Sequence, residues 1–160
     1  MAHSREHHYT ACVTWTGDLG QGTAGYKAYS RAHRIEIPGK PDIAGSSDPA
    51  FRGDPSMHNP EDLLVAALSA CHMLWYLHLA AARGIVVTGY RDDAGGTMRE
   101  GENGQGRFTG VILRPVVTIA QGDKAAAAAL HGEAHRNCFI ANSVNFPVTH
   151  EATIHCERPG

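Results

Sequence analysis

The stretch that decides the fold is residues 59–84, NPEDLLVAALSACHMLWYLHLAAARG. Asn59, Pro60, Glu61 and Asp62 make a helix start. The amide can cap free N–H groups, the proline suits the first helical position, and the acids face the positive end of the dipole. Arg83 and Gly84 close the helix with a cation for the last turn and a glycine able to turn left-handed. Between them, residues 63–82 carry no formal charge, a run long enough to span a bilayer. Its alanine content, with Ser69, Cys71, His72 and His78 inside it, argues instead for a buried central helix. Large apolar residues from Leu63 through Trp75 to Leu79 point in every direction at about 100° per residue. Such a helix needs cover on all sides. One small sheet and one alanine-rich helix cover about two of its faces, so a second copy of the chain is expected to cover the rest as an obligate homodimer.

Working outward, residues 7–16 (HHYTACVTWT) read as a strand. A turn-prone cluster at 17–22 follows, then a return strand at 23–30 and a third strand at 33–37. Residues 38–58 are dominated by Gly, Pro, Ser and Asp, a loop long enough to be functional or mobile. Beyond the helix, 85–100 and 107–120 form a hairpin around Asn103-Gly104. Residues 123–137 form a second helix, 138–146 a short turn and 147–156 a last strand. The expected order is βββ-α-ββ-α-β in a single domain over 1–160, with no repeat and no linker.

Composition agrees with a globular chain. The 160 residues are 42% hydrophobic and 19% charged, with net charge −2, so nothing basic points to nucleic acid or an anionic membrane. The first ten residues have no apolar segment or cleavage pattern, so no signal peptide is expected, and the expected location is a reducing cytoplasm. Four cysteines, Cys12, Cys71, Cys138 and Cys156, are too few and too scattered for a disulfide scaffold or a zinc ribbon.

Cys71 lies mid-helix and Cys138 opens the turn after the second helix. As buried free cysteines they could be small hydrophobes. Yet Arg52, Asp54, His58 and Glu61 stand just before the apolar helix that holds Cys71. A thiolate needs a nearby cation or dipole, and a second thiol rescues its first oxidation product. Cys12 and Cys156, near the chain ends, are expected to be inert.

These residues resemble the OsmC/Ohr family, the osmotically inducible and organic hydroperoxide resistance proteins. Asn59-Pro60-Glu61-Asp62-Leu63-Leu64 followed by Ala67 to Cys71 is similar to the N-P-E-x-L…A-x-x-x-C signature. Trp15-Thr16-Gly17-Asp18, with Gly22-Thr23, resembles the family's opening. Cys138 to Ser143 with Pro147-Val148 resembles its second-cysteine segment. The resemblance runs in order over nearly the whole chain. It implies an α+β fold of antiparallel sheets wrapped around central helices in an intertwined homodimer. It also implies a peroxidase acting on organic hydroperoxides, alkyl or fatty-acyl by the apolar character of the helix, in oxidative-stress defence. Cys71 would be the peroxidatic thiolate, Cys138 the resolving thiol, Glu61 the carboxylate that orients a guanidinium, and a lipoyl-type dithiol the reductant. No cofactor or metal is implied.

One departure concerns the arginine. The family places it in the first hairpin or in the loop before the helix; Gln21 occupies the first place here, so Arg52 is the candidate, with Arg31 and Arg34 behind it. Glu61 and Cys71, ten residues apart, stand about 15 Å apart along a straight helix. Two antiparallel copies could instead set Glu61 of one chain beside Cys71 of the other. His72 points away from Cys71 and reads as an interface histidine. His131 and His135, four apart on the second helix, could offer two metal ligands but lack partners nearby in sequence. The competing readings are a non-catalytic small-molecule or metal-binding protein on the same scaffold, and a different thiol-dependent enzyme.

Overall fold

The computed structural model describes residues 5–157, so the first four residues of the amino-terminal segment lie outside the described residues. The chain is α+β and falls into two compact units, Met1–Leu63 and Leu64–Gly160. In the first unit β1 (Cys12–Trp15), β2 (His33–Glu36) and β3 (Ile43–Gly45) form an antiparallel sheet in that order. Trp15 pairs with His33, so the return strand starts there and not at residue 23. Residues 23–30 form turns despite their tyrosines. The Trp15 indole donates to the Ser30 carbonyl at 2.8 Å, and Ser30 N–H donates to the Gly17 carbonyl at 2.9 Å. A Cβ on Gly17 would overlap that Ser30 carbonyl. Asp18 accepts from the Gly20 and Gly22 amides at 2.8 and 2.9 Å, which holds its carboxyl below the usual range. With the loop closed this way, no strand forms between Trp15 and His33.

The 38–58 stretch is also built rather than slack. It contains β3 and a 3₁₀ turn, Pro49–Phe51, and it closes where Ser46 N–H meets the His58 carbonyl at 2.9 Å. The Ser46 hydroxyl accepts from Asp54 N–H at 3.0 Å.

Helix α1 is Pro60–Ala82, with the boundaries its end signals imply. Asn59 Oδ1 accepts from Asp62 N–H at 2.8 Å. Gly84, at φ 68°, closes the other end: Ile85 N–H reaches the Ala80 carbonyl at 3.0 Å and Gly84 N–H the Ala81 carbonyl at 3.2 Å, the paired bonds of a glycine C-cap. Helix α2 is Lys124–Asn137, capped by Asp123, which accepts from Ala126 N–H at 2.7 Å.

In the second unit the expected hairpin bends into two. β4 (Val86–Asp92) and β5 (Gly95–Glu100) replace one strand; β6 (Gly106–Leu113) and β7 (Pro115–Gln121) replace the other. The last strand divides into β8 (Val148–His150) and β9 (Thr153–Cys156). Two sheets result, β4-β7-β9 and β5-β6-β8. Asp92 fixes the bend: one carboxylate oxygen accepts from Arg114 N–H and the other from the Ser69 hydroxyl of α1, both at 2.6 Å. β8 runs parallel to β6 and β9 parallel to β7, so these sheets are mixed where purely antiparallel ones were expected. The observed order is βββ-α-ββββ-α-ββ.

Each sheet has its own core. Tyr76, Ile85, Val117, Leu130 and Ile154 pack in one; Leu68, Val111, Leu113 and Val148 pack in the other. The buried stripe of α1 is Leu68, His72, Tyr76 and Ala80, one residue per turn, so Leu68 serves one core and Tyr76 the other. The outer face of α1 is left open, with Leu74 62% exposed.

Candidate active site

Cys71 stands half-buried on α1. Cys138 is fully buried at the end of α2, where its N–H donates to the His135 carbonyl at 3.3 Å and its Sγ accepts from Ala141 N–H at 3.4 Å. The two thiols are neighbours although 67 positions separate them in sequence (138 − 71). Burial pushes the Cys138 thiol up, to about 11; the Ala141 amide pulls it down a little, and the adjacent Cys71 thiol raises it further by hydrogen bond and charge. Cys138 is therefore held protonated at neutral pH.

Aromatic groups flank the pair. Trp75, one turn beyond Cys71, meets Phe139, the residue after Cys138, edge to face at 5.4 Å. Phe139 is 68% exposed. A shallow apolar pocket of about 240 Å³ is lined by Leu74, Trp75 and His78.

The remaining candidates, Arg52 and Glu61, belong to the first unit. Arg52 ends the 3₁₀ turn at φ 65°, the only non-glycine residue with positive φ among the described residues. Its guanidinium has no hydrogen bond or ion pair among the described residues, and neither has the Glu61 carboxylate. Arg31 and Arg34 are occupied. Arg31 donates to the Tyr29 and Tyr26 carbonyls, both at 2.8 Å, and lies over both rings. Arg34 pairs with Glu36 and Asp42 at 3.3 and 3.6 Å. Cys12 and Cys156 are exposed and not disulfide-bonded.

The histidines differ most from the sequence expectation. His72 is buried inside the second unit, because it continues the Leu68–Tyr76 stripe, and there its Nε2 lies 3.0 Å from Nδ1 of His131. His131 therefore faces His72 rather than forming a ligand pair with His135. No group of three or more His, Cys, Asp or Glu among the described residues is arranged to hold a metal. The signal for this contact was absent from the sequence beyond His131 falling on the Ala127-Leu130-Ala134 face of α2.

A buried thiol beside a half-buried one, between a long apolar helix and two mixed sheets, defines a two-cysteine α+β protein. The family model for OsmC-like proteins matches residues 53–153, and the chain belongs to the OsmC-like family. An OsmC-like protein of unknown function from Vibrio cholerae is 36% identical, with TM-score 0.83 over 92% of this chain and 99% of that one. An organic hydroperoxide resistance protein from Elizabethkingia anophelis shares the fold at 16% identity and TM-score 0.68, over 97% and 100% of the two chains. So does an organic hydroperoxide resistance protein of Bacillus subtilis, at 23% and 0.57 over 91% and 98%. No curated protein matches the sequence.

Proposed function

We propose that the chain is a thiol-dependent peroxidase that reduces organic hydroperoxides in oxidative-stress defence. The observation that carries this reading is the pair of adjacent thiols of unequal burial, with the Cys138 proton held tightly. Cys71, hydrogen-bonded to Cys138, is the attacking thiolate in this reading and takes the terminal oxygen of the hydroperoxide. The O–O bond breaks, the alkoxide takes a proton and leaves as alcohol, and Cys71 becomes a sulfenic acid. Cys138 attacks that sulfur, its proton leaves with the hydroxide as water, and a Cys71–Cys138 disulfide forms. An external dithiol, lipoyl-type in the family pattern, supplies two electrons to restore both thiols. Family membership and the hydroperoxide resistance proteins among the structural relatives support the substrate class.

In this reading Arg52 supports the Cys71 thiolate and Glu61 orients it, and a second copy of the chain completes the assembly. The exposed Leu74 and Phe139 of the second unit are apolar side chains that copy would cover, and so, on the first unit, are Val13 and Trp15. The expected compartment is the cytoplasm, where unbridged cysteines stay reduced.

The test is to mix reduced protein with a slight excess of cumene hydroperoxide and count free thiols. Loss of two thiols, abolished by Cys71→Ser, supports the peroxidase. Loss that survives that substitution points to another thiol activity, and no loss at all to a binding protein. Sizing the protein in solution tests the assembly, and a stable, active monomer would defeat it.

A further inference from the structure

Four imidazoles from three elements meet in the second unit. His72 of α1 and His131 of α2 are hydrogen-bonded with rings parallel within 5°. His150 of β8 lies 5.6 Å from the first ring and 5.8 Å from the second, and His135 of α2 lies 6.1 Å from His150. Tyr76 stacks on His131 at 4.1 Å, and Tyr90 of β4 lies 6.4 Å from it. His72 and His131 are at most 1% exposed, and their outer nitrogens, Nδ1 of His72 and Nε2 of His131, have no partner.

Two neutral imidazoles share one hydrogen bond, one donating and one accepting. A third proton must sit on one of the outer nitrogens, buried and without a partner, close to other imidazoles. The carboxylate that acts on His72 is Asp92 of β4, and both its oxygens are already engaged by Ser69 and Arg114 N–H. β7 and β9 bring Val117, Ile119 and Ile154 to the same core, with no ionisable group. Acid therefore puts charge where nothing answers it.

The position of the cluster matters. His72 follows Cys71 directly, and His131 and His135 lie on the last two turns of α2, whose end is Cys138. We infer that the His72–His131 pair is a proton-operated latch: neutral, it clamps α2 to α1 and keeps Cys138 against Cys71; protonated, it frees the end of α2 and parts the two thiols. Burial, followed by the neighbouring histidine charges, holds His72 down at about 4 and His131 at about 3, and His150 is lowered too. Freed histidines return to about 6.5. The clamped state is thus favoured above that value and loses ground as pH falls below it, about tenfold per pH unit for each histidine. The latch stands on the packing alone, whatever the substrate of the thiols.

The experiment reads the exposure of Cys138 itself. In full-length protein with Cys12→Ser, Cys71→Ser and Cys156→Ser, Cys138 is labelled with dithiodipyridine, which reacts with thiols in acid as well as at neutrality. Its rate is divided by that of a free-thiol peptide at each pH. The latch predicts slow relative labelling at pH 7.5 and at least about tenfold faster labelling at pH 5, with the helical circular dichroism retained. The double variant His72→Phe, His131→Phe removes both proton sites of the pair and keeps a ring on Tyr76, so Cys138 should stay protected at pH 5. A relative rate that does not change with pH overturns the proposal. So does acceleration that persists in the double phenylalanine variant, or acceleration that coincides with loss of helix.

Discussion

The first unit keeps its three strands in place with turn bonds around Gly17, Asp18, Ser46 and Asp54, whereas the second buries Leu68, Tyr76, Val117 and Leu130 completely. Among its described residues the first unit has no large apolar side chain fully buried; it shows Val13, Leu19 and Tyr26 to solvent at 63, 69 and 59%. The second has two cores and the adjacent thiols. Hydrogen bonds in exposed turns add little net free energy, while apolar burial supplies most of what holds a domain together. The difference assigns stability to the second unit. The first is loop-built and holds Arg52 with its backbone in a conformation a non-glycine residue adopts only when its surroundings enforce it.

This contrast can be broken by experiment. If the first unit supplies the cation, Arg52→Ala should slow peroxide reduction about 100-fold at pH 7, roughly 3 kcal/mol of transition-state stabilisation. Arg31→Ala, whose guanidinium is taken up by two carbonyls and two rings, should change the rate less than about threefold. Stopped-flow kinetics decide, and equal losses would dissolve the distinction. In the second unit Leu68→Ala should cost about 3 kcal/mol in urea unfolding. Ile35→Ala, in the half-buried β2, should cost about 1 kcal/mol. Acid should act unevenly as well. Because His72 and His131 are held below the unfolded value of about 6.5, the stability they contribute is complete above that pH and declines as pH falls toward about 4, on the order of 1 kcal/mol per unit for each. Hydrogen exchange at pH 5 should therefore show lost protection across the Leu68–Ala80 stretch of α1 without a matching loss in β1 and β2. The smallest effect belongs to the caps: Asn59→Ala and Asp123→Ala should each remove about 1 kcal/mol, read as a lower denaturation midpoint.

Both helices were legible because their signals are local. Asn59, Pro60 and Gly84 act on amides within five residues, and Asp123 does the same for α2. The thiol pair was legible only through resemblance, as was the choice of Arg52 and Glu61. Residues 23–30 misled because strand-forming tyrosines were overruled by the approach of Ser30 to Gly17. The bend at Asp92 falls in Arg91-Asp92-Asp93-Ala94-Gly95-Gly96, a turn-prone stretch that the strand reading passed over; what fixes it is a carboxylate shared between Arg114 and Ser69, the latter 23 positions away. The His72–His131 contact spans 59 positions, and no periodicity reports a meeting of two helices.

By itself, then, the sequence determined where the helices begin and end and that α1 is apolar on every side. Those properties follow from backbone groups and side chains within a turn or two of each other. The tertiary structure alone decided that the sheets are mixed, that Cys138 keeps its proton beside Cys71, and that two histidines close the space between the cores. Each of these depends on burial and on partners brought together by packing, and burial sets the energy of a charge far more strongly than neighbours in sequence do.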